Sequence, residues 1–101
     1  MASNIQRFNK PVAGIKAVGL RWKYTIGAAG SPIASVTVTP TDETDPAGSV
    51  DVLGAITFDA DRSLTQFIAK NGIAGHRYKF RTEITLVNGQ VYAQDQYMDV
   101  I

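Results

Sequence analysis

The run from Arg77 to Val87 constrains this chain more than any other segment. Tyr78, Phe80, Thr82, Ile84 and Leu86 alternate there with Arg77, Lys79, Arg81, Glu83 and Thr85. A period of two is that of a strand with one face in a core and the other in water. A helix would scatter the same residues around its circumference. Asn88-Gly89 follows. That pair is a strong hairpin signal, because both central residues of a type I′ turn need positive φ. Gln90–Ile101, rich in Val, Tyr and Met, is expected to return antiparallel.

Such a turn sets Leu86 against Val91, Ile84 against Ala93 and Thr82 against Asp95. An inward Asp95 is costly, since burying an unpaired carboxylate is unfavourable. Met98 and Val100 also fall in the opposite phase. The sequence therefore predicts a β-bulge or strand switch near Asp95–Tyr97, or a Thr82–Asp95 pair beyond the covered core.

Further strands are legible at Val18–Ile26, Ile33–Thr39, Ser49–Leu53, Ala55–Phe58 and Leu64–Ala69. Gly-, Pro- and Asp-rich breakers separate them. The best helix candidate is Asp61–Ile68, with Asp61 or Ser63 as its cap. Short strands at this spacing predict an all-β chain: one immunoglobulin-like antiparallel β-sandwich of about seven strands over residues 18–101. Residues 1–17 lack a strong pattern, with Phe8, Pro11 and Ile15 as apolar islands, and are expected to form an extended arm that lies across the domain or onto a neighbour. Tyr78, at the head of the longest strand, is placed for a tyrosine corner, in which its hydroxyl bonds back to the preceding loop.

The chain has 101 residues, no cysteine and one histidine, His76. Disulfides, thiol nucleophiles and multi-histidine metal sites are thereby excluded. His76 sits in a glycine-flanked turn and reads as an exposed loop histidine. No Gly-x-Ser-x-Gly or phosphate-binding loop is present. The clusters Asp42, Glu43, Asp45 and Asp59, Asp61 do not fit a calcium-loop template and read as solvated acids. No catalytic residue, cofactor or metal is expected. A first stretch without an apolar run, and no stretch of ~20 apolar residues, predict neither a signal peptide nor a membrane helix.

The net charge is only +1, but it is segregated. Residues 1–24 carry Arg7, Lys10, Lys16, Arg21 and Lys23 and no acid. Residues 42–61 carry six acids and no base. The basic strand faces at Arg21/Lys23 and at Arg77, Lys79 and Arg81 lack aromatics on the same side, so no nucleic-acid platform is expected.

The stretch Phe67–Val91 resembles a family of small tailed-phage virion proteins, the fibre–tail adaptor or tail-associated proteins, which have an immunoglobulin-like sandwich. The resemblance lies in an apolar strand, the turn Ile73-Ala74-Gly75, Tyr78-Lys79-Phe80, a threonine-bearing strand and the hairpin at Gly89-Gln90-Val91. Gly30-Ser31-Pro32-Ile33 is similar to the family's entry into its second strand, and Phe8-Asn9-Lys10-Pro11 to its amino-terminal arm. Where the family has an acidic Asp-Tyr…Asp-Trp segment, Gly19-Leu20-Arg21-Trp22-Lys23-Tyr24 stands here with the charge reversed. The resemblance implies a non-enzymatic virion subunit at the neck, tail or fibre attachment. It would dock oligomerically with other virion proteins and with copies of itself.

The expected contact residues are Phe8, Lys10 and Pro11 on the arm, Arg21 and Lys23, and the acids Asp42, Glu43 and Asp45. In that arrangement the basic first third of one copy meets the acidic loop of the next. A capsid decoration protein and a stand-alone carbohydrate- or protein-binding module are the alternatives.

Overall fold

The computed structural model describes residues 6–22, 31–48 and 50–101. Among these residues lie seven strands: β1 (Gln6–Lys10), β2 (Lys16–Arg21), β3 (Ile33–Asp42), β4 (Leu53–Asp59), β5 (Leu64–Ala69), β6 (Arg77–Leu86) and β7 (Val91–Val100). They form two packed sheets, ordered β1-β7-β6-β3 and β2-β5-β4. The protein is an all-β sandwich. Its first, third, sixth and seventh strands share one sheet and its second, fourth and fifth the other.

The alternating run becomes β6, with Tyr78, Phe80, Thr82, Ile84 and Leu86 all buried. The hairpin that follows is not type I′. The Leu86 carbonyl accepts from Gly89 N–H at 2.9 Å, and Leu86 N–H donates to the Gln90 carbonyl at 2.8 Å. Gly89 has φ +91°, while Asn88 is not among the residues with positive φ. This is a three-residue loop closed by a glycine in the left-handed region, which inserts one extra residue.

The insertion moves the ladder by one step. Thr85 lies opposite Val91, Arg81 opposite Asp95 and Tyr78 opposite Met98, without interruption. The phase change expected near Asp95–Tyr97 is thus made at the turn. Asp95 points outward, 3.5 Å from Arg81.

Four other expectations are refined. The expected arm, lying across the domain or onto a neighbour, contains an edge strand: Gln6–Lys10 pairs parallel with β7, Phe8 opposite Met98. The second strand begins at Lys16 and ends at Arg21; residues 23–26 of the expected Val18–Ile26 strand lie outside the described residues. The helix candidate Asp61–Ile68 is a turn leading into β5, with Ser63 at φ 52°. Of the two short runs around Gly54, Ala55–Phe58 lies within β4, which begins at Leu53 and has a register irregularity between Leu53 and Ile56; residues 50–52 are not strand, and residue 49 lies outside the described residues.

The core has two apolar clusters. Val18, Val38, Val52, Phe67, Ala69, Tyr78, Phe80, Met98 and Val100 form one. Leu20, Trp22, Ile33, Ile84 and Leu86 form the other. Thr65 on β5, Thr82 on β6 and Gln96 on β7 are buried as well. Trp22 Nε1 donates to Thr65 Oγ1 at 2.9 Å, and Thr82 Oγ1 donates to Gln96 Oε1 at 3.0 Å. Gln96 Nε2 finds no hydrogen-bond partner among the described residues.

Candidate functional site

Two regions concentrate chemistry. The first is one end of the four-stranded sheet, where Lys10, Val100, Arg77 and Asp42 close successive strands. Lys10 ends β1 and is 1% exposed. Its ammonium donates to the carbonyls of Pro11 (2.7 Å), Val12 (3.2 Å) and Gly14 (3.0 Å). All three ammonium donors are therefore used. Burial lowers the Lys10 pKa from its ordinary value. Lys10 was expected on a contact surface; instead it locks the β1–β2 connection from within. The reason is local: the chain folds back over the strand end, and only a long cationic side chain reaches the carbonyls it turns inward.

Asp42 ends β3 and is 8% exposed. Its Oδ1 accepts from the N–H groups of Thr44 (2.9 Å) and Asp45 (3.0 Å), and its Oδ2 lies 2.8 Å from His76 Nδ1. Burial alone would raise the Asp42 pKa. The bonds from His76, Asp45 and Thr44 outweigh it and leave the pKa below the ordinary value. Asp42 is therefore not a solvated contact acid, and His76 is not a free loop histidine. Each holds the other in place. Glu43 and Asp45 remain exposed at this end. Asp45 Oδ1 accepts from Ala47 N–H at 3.2 Å, and Asp59 Oδ1 accepts from Asp61 and Arg62 N–H at 3.1 and 3.3 Å. These loop acids cap their own turns. Among the described residues no three His, Asp or Glu side chains are grouped to hold a metal ion.

Tyr78 lies one residue inward. Its hydroxyl accepts from Ile73 N–H at 3.1 Å, the bond of a tyrosine corner. Burial raises its pKa, and the nearby carboxylates of Asp42 and Asp45 add to the shift. The loop before it turns at Asn71 and Gly72, with φ 53° and 105°. A side chain at Gly72 would meet Val100 Cγ2 at 2.7 Å. Outside this corner, Arg77 Nε donates to Asp99 Oδ1 at 2.7 Å.

The second region is the pair of opposite edges of the sandwich. On one side, β1 and β2 border a groove of about 200 Å³ lined by Gln6, Arg7, Phe8, Lys16, Ala17, Val18 and Gly19. Phe8 is half-buried there, with the Lys16 ammonium 5.2 Å above its ring. Arg7 sits 5.9 Å over the Tyr97 ring. Arg7, Lys16, Arg21 and Pro11 are exposed. On the other side β4 is flanked by Asp51 and Asp59, with Asp61 just beyond.

The expected contact residues are therefore not brought to one place. Lys10, Pro11, Asp42, Glu43 and Asp45 share the end of the four-stranded sheet. Arg21 lies level with Leu64 and Asp59 at the far end of the other sheet. Lys23 lies outside the described residues. Two features escaped sequence reasoning: the Asp42–His76 pair, whose members are far apart in the chain, and the exposed β4 edge, whose residues read only as short strand runs.

The chain matches no protein-family model, and no curated protein is significantly similar to it.

Proposed function

We propose that the chain is an immunoglobulin-like structural subunit of a tailed-phage virion, at the neck, tail or fibre attachment, acting through oligomeric docking. The observation that carries this reading is the division of charge between edges. Exposed bases Arg7, Lys16 and Arg21 border one side, and Asp51, Asp59 and Asp61 border the other. A surface that is complementary to itself across opposite edges suits head-to-tail contact, which generates rings or filaments. Each weak patch gains strength when many copies engage together.

The family resemblance adds to this, since its densest stretch spans β5, the tyrosine corner and the β6–β7 hairpin. Fully buried Trp22 is not offered to a sugar ring, which disfavours the carbohydrate-binding alternative.

Mass spectrometry of gradient-purified particles tests the reading. The chain is expected in multiple copies per particle, in the tail or neck fraction after heads and tails are separated. A head-only location would support decoration instead. Absence from particles would overturn a virion role.

A further inference from the structure

The outer rim of β4 is poorly defended against pairing. Edge strands usually carry Lys, Pro or inward charges that discourage a further strand. The neighbouring edge β3 carries Pro40. From Val52 to Phe58 there is neither a charge nor a proline. Past the irregularity near Gly54, β4 pairs regularly with β5 from Ile56 to Asp59. Ile56 and Phe58 lie opposite the buried Phe67 and Thr65, yet they are 37% and 43% exposed. The inner apolar row therefore reaches this edge uncovered.

The other edge of the same sheet is β2, and β5 relates the two. Val18, Phe67 and Ile56 are level, as are Gly19, Gln66 and Thr57, then Leu20, Thr65 and Phe58, then Arg21, Leu64 and Asp59. Both outer strands run antiparallel to β5, so they are parallel to each other.

We propose that the β4 edge of one copy receives the β2 edge of a second copy, so that the three-stranded sheet continues from molecule to molecule. This rests on the reading of the chain as a self-assembling subunit. In level register, Val18 and Leu20 of the incoming copy cover Ile56 and Phe58. Arg21 meets Asp59, and Lys16 enters near Leu53 and Asp51. The two acids now hold only exposed partners, Arg62 at 3.7 Å and Lys70 at 3.3 Å. Such surface pairs are weak enough to exchange. Two β4 strands paired antiparallel about Ile56 would instead set Asp59 of each copy against Leu53 of the other, close to Asp51. Like charges would meet, so the second copy presents β2.

The absence of natural cysteines makes a cross-linking test clean. Gly19 and Thr57 are exposed, and a Cβ at Gly19 meets nothing nearer than 3.9 Å. Within one molecule they stand two strand spacings apart, about 9.6 Å, beyond the ~7 Å a disulfide spans between Cα atoms. Under mild oxidation the Gly19→Cys/Thr57→Cys variant is expected to give a ladder of dimers, trimers and larger species, and each single variant to stay monomeric. Adding Arg21→Asp should reduce the ladder several-fold, and Asp59→Arg on top should restore it.

Dimers from Thr57→Cys alone would overturn the proposal in favour of a β4–β4 contact. A folded, persistently monomeric double variant would also overturn it. Should the double variant not fold, carbodiimide coupling of mixed ¹⁴N and ¹⁵N wild-type chains replaces it. Mixed-label Lys16–Asp51 peptides are expected, and their absence counts against the edge contact. Virion content is read separately, so loss of the ladder with the chain still present in particles condemns the edge contact and not the virion role.

Discussion

His76 Nδ1 and Asp42 Oδ2 stand 2.8 Å apart and join the end of β3 to the residue just before β6. The same carboxylate caps two backbone N–H groups of the following turn. Asp42→Asn removes the charge and disturbs these bonds. It is expected to cost about 1–3 kcal/mol at neutral pH, the penalty of a buried group losing its partners, measured by urea unfolding.

The pH dependence has a definite sign. Folding holds the Asp42 pKa below its ordinary value. The associated stability is present above the unfolded carboxylate pKa of about 3.9 and lost as pH falls through the lower folded value. Acid titration of stability should therefore be steeper below about pH 4 in the wild type than in Asp42→Asn. Parallel curves would show that this carboxylate does not govern acid unfolding.

Tyr78→Phe keeps the buried ring and deletes the acceptor for Ile73 N–H. A loss of roughly 0.5–1.5 kcal/mol is expected. Tyr78→Ala also empties the core beneath and should cost roughly 3–5 kcal/mol. Chemical denaturation of both variants separates the corner bond from the ring.

Lys10→Met preserves the buried stem and strands three carbonyls. Destabilisation of about 1–3 kcal/mol is expected, with faster amide exchange confined to residues 11–16 and to the edge of β7. Retention of wild-type exchange there would mean that the ammonium does not hold the connection.

Thr82 and Gln96 form the polar contact between the two apolar clusters. Removing one partner leaves the other buried and unpaired, whereas removing both removes the problem. Thr82→Val and Gln96→Met should each be less stable than the double variant, giving a positive coupling in a double-mutant cycle. Additive losses would deny the pairing.

The sequence was most informative where local pattern and burial agree. Alternation in Arg77–Leu86 marked β6 and its inner face, because in a two-sheet sandwich each strand has one wet side. Tyr78 was placed correctly because its role depends on a loop only five residues back. The phase conflict around Asp95 was also real, but its resolution depends on whether Asn88 joins Gly89 in the left-handed conformation, and an Asn-Gly pair allows either outcome.

Other features depend on distant chain. Nothing local in Gln6–Lys10 announces parallel pairing with β7, so four polar residues around Phe8 read as an arm. Lys10 read as a surface base because a buried cation is unusual, and its carbonyl partners belong to a backbone path that composition does not reveal. His76 and Asp42 met only after β3 and β6 were paired. The segregated charge was legible as a count, but which charges face outward was not: Asp42 and Lys10 are spent inside the fold.

The parallel pairing of β1 with β7 also bears on how the chain is made. β1 must wait for β7 before its backbone is matched, and the partners, such as Gln6 and Gln96, are far apart in the chain. Such pairing is slow to form because the loop must close before the contact is gained. During synthesis the larger sheet stays incomplete until Val91–Val100 has emerged, because β7 lies between β1 and β6. Any association that needs the finished sheet therefore follows the emergence of that strand.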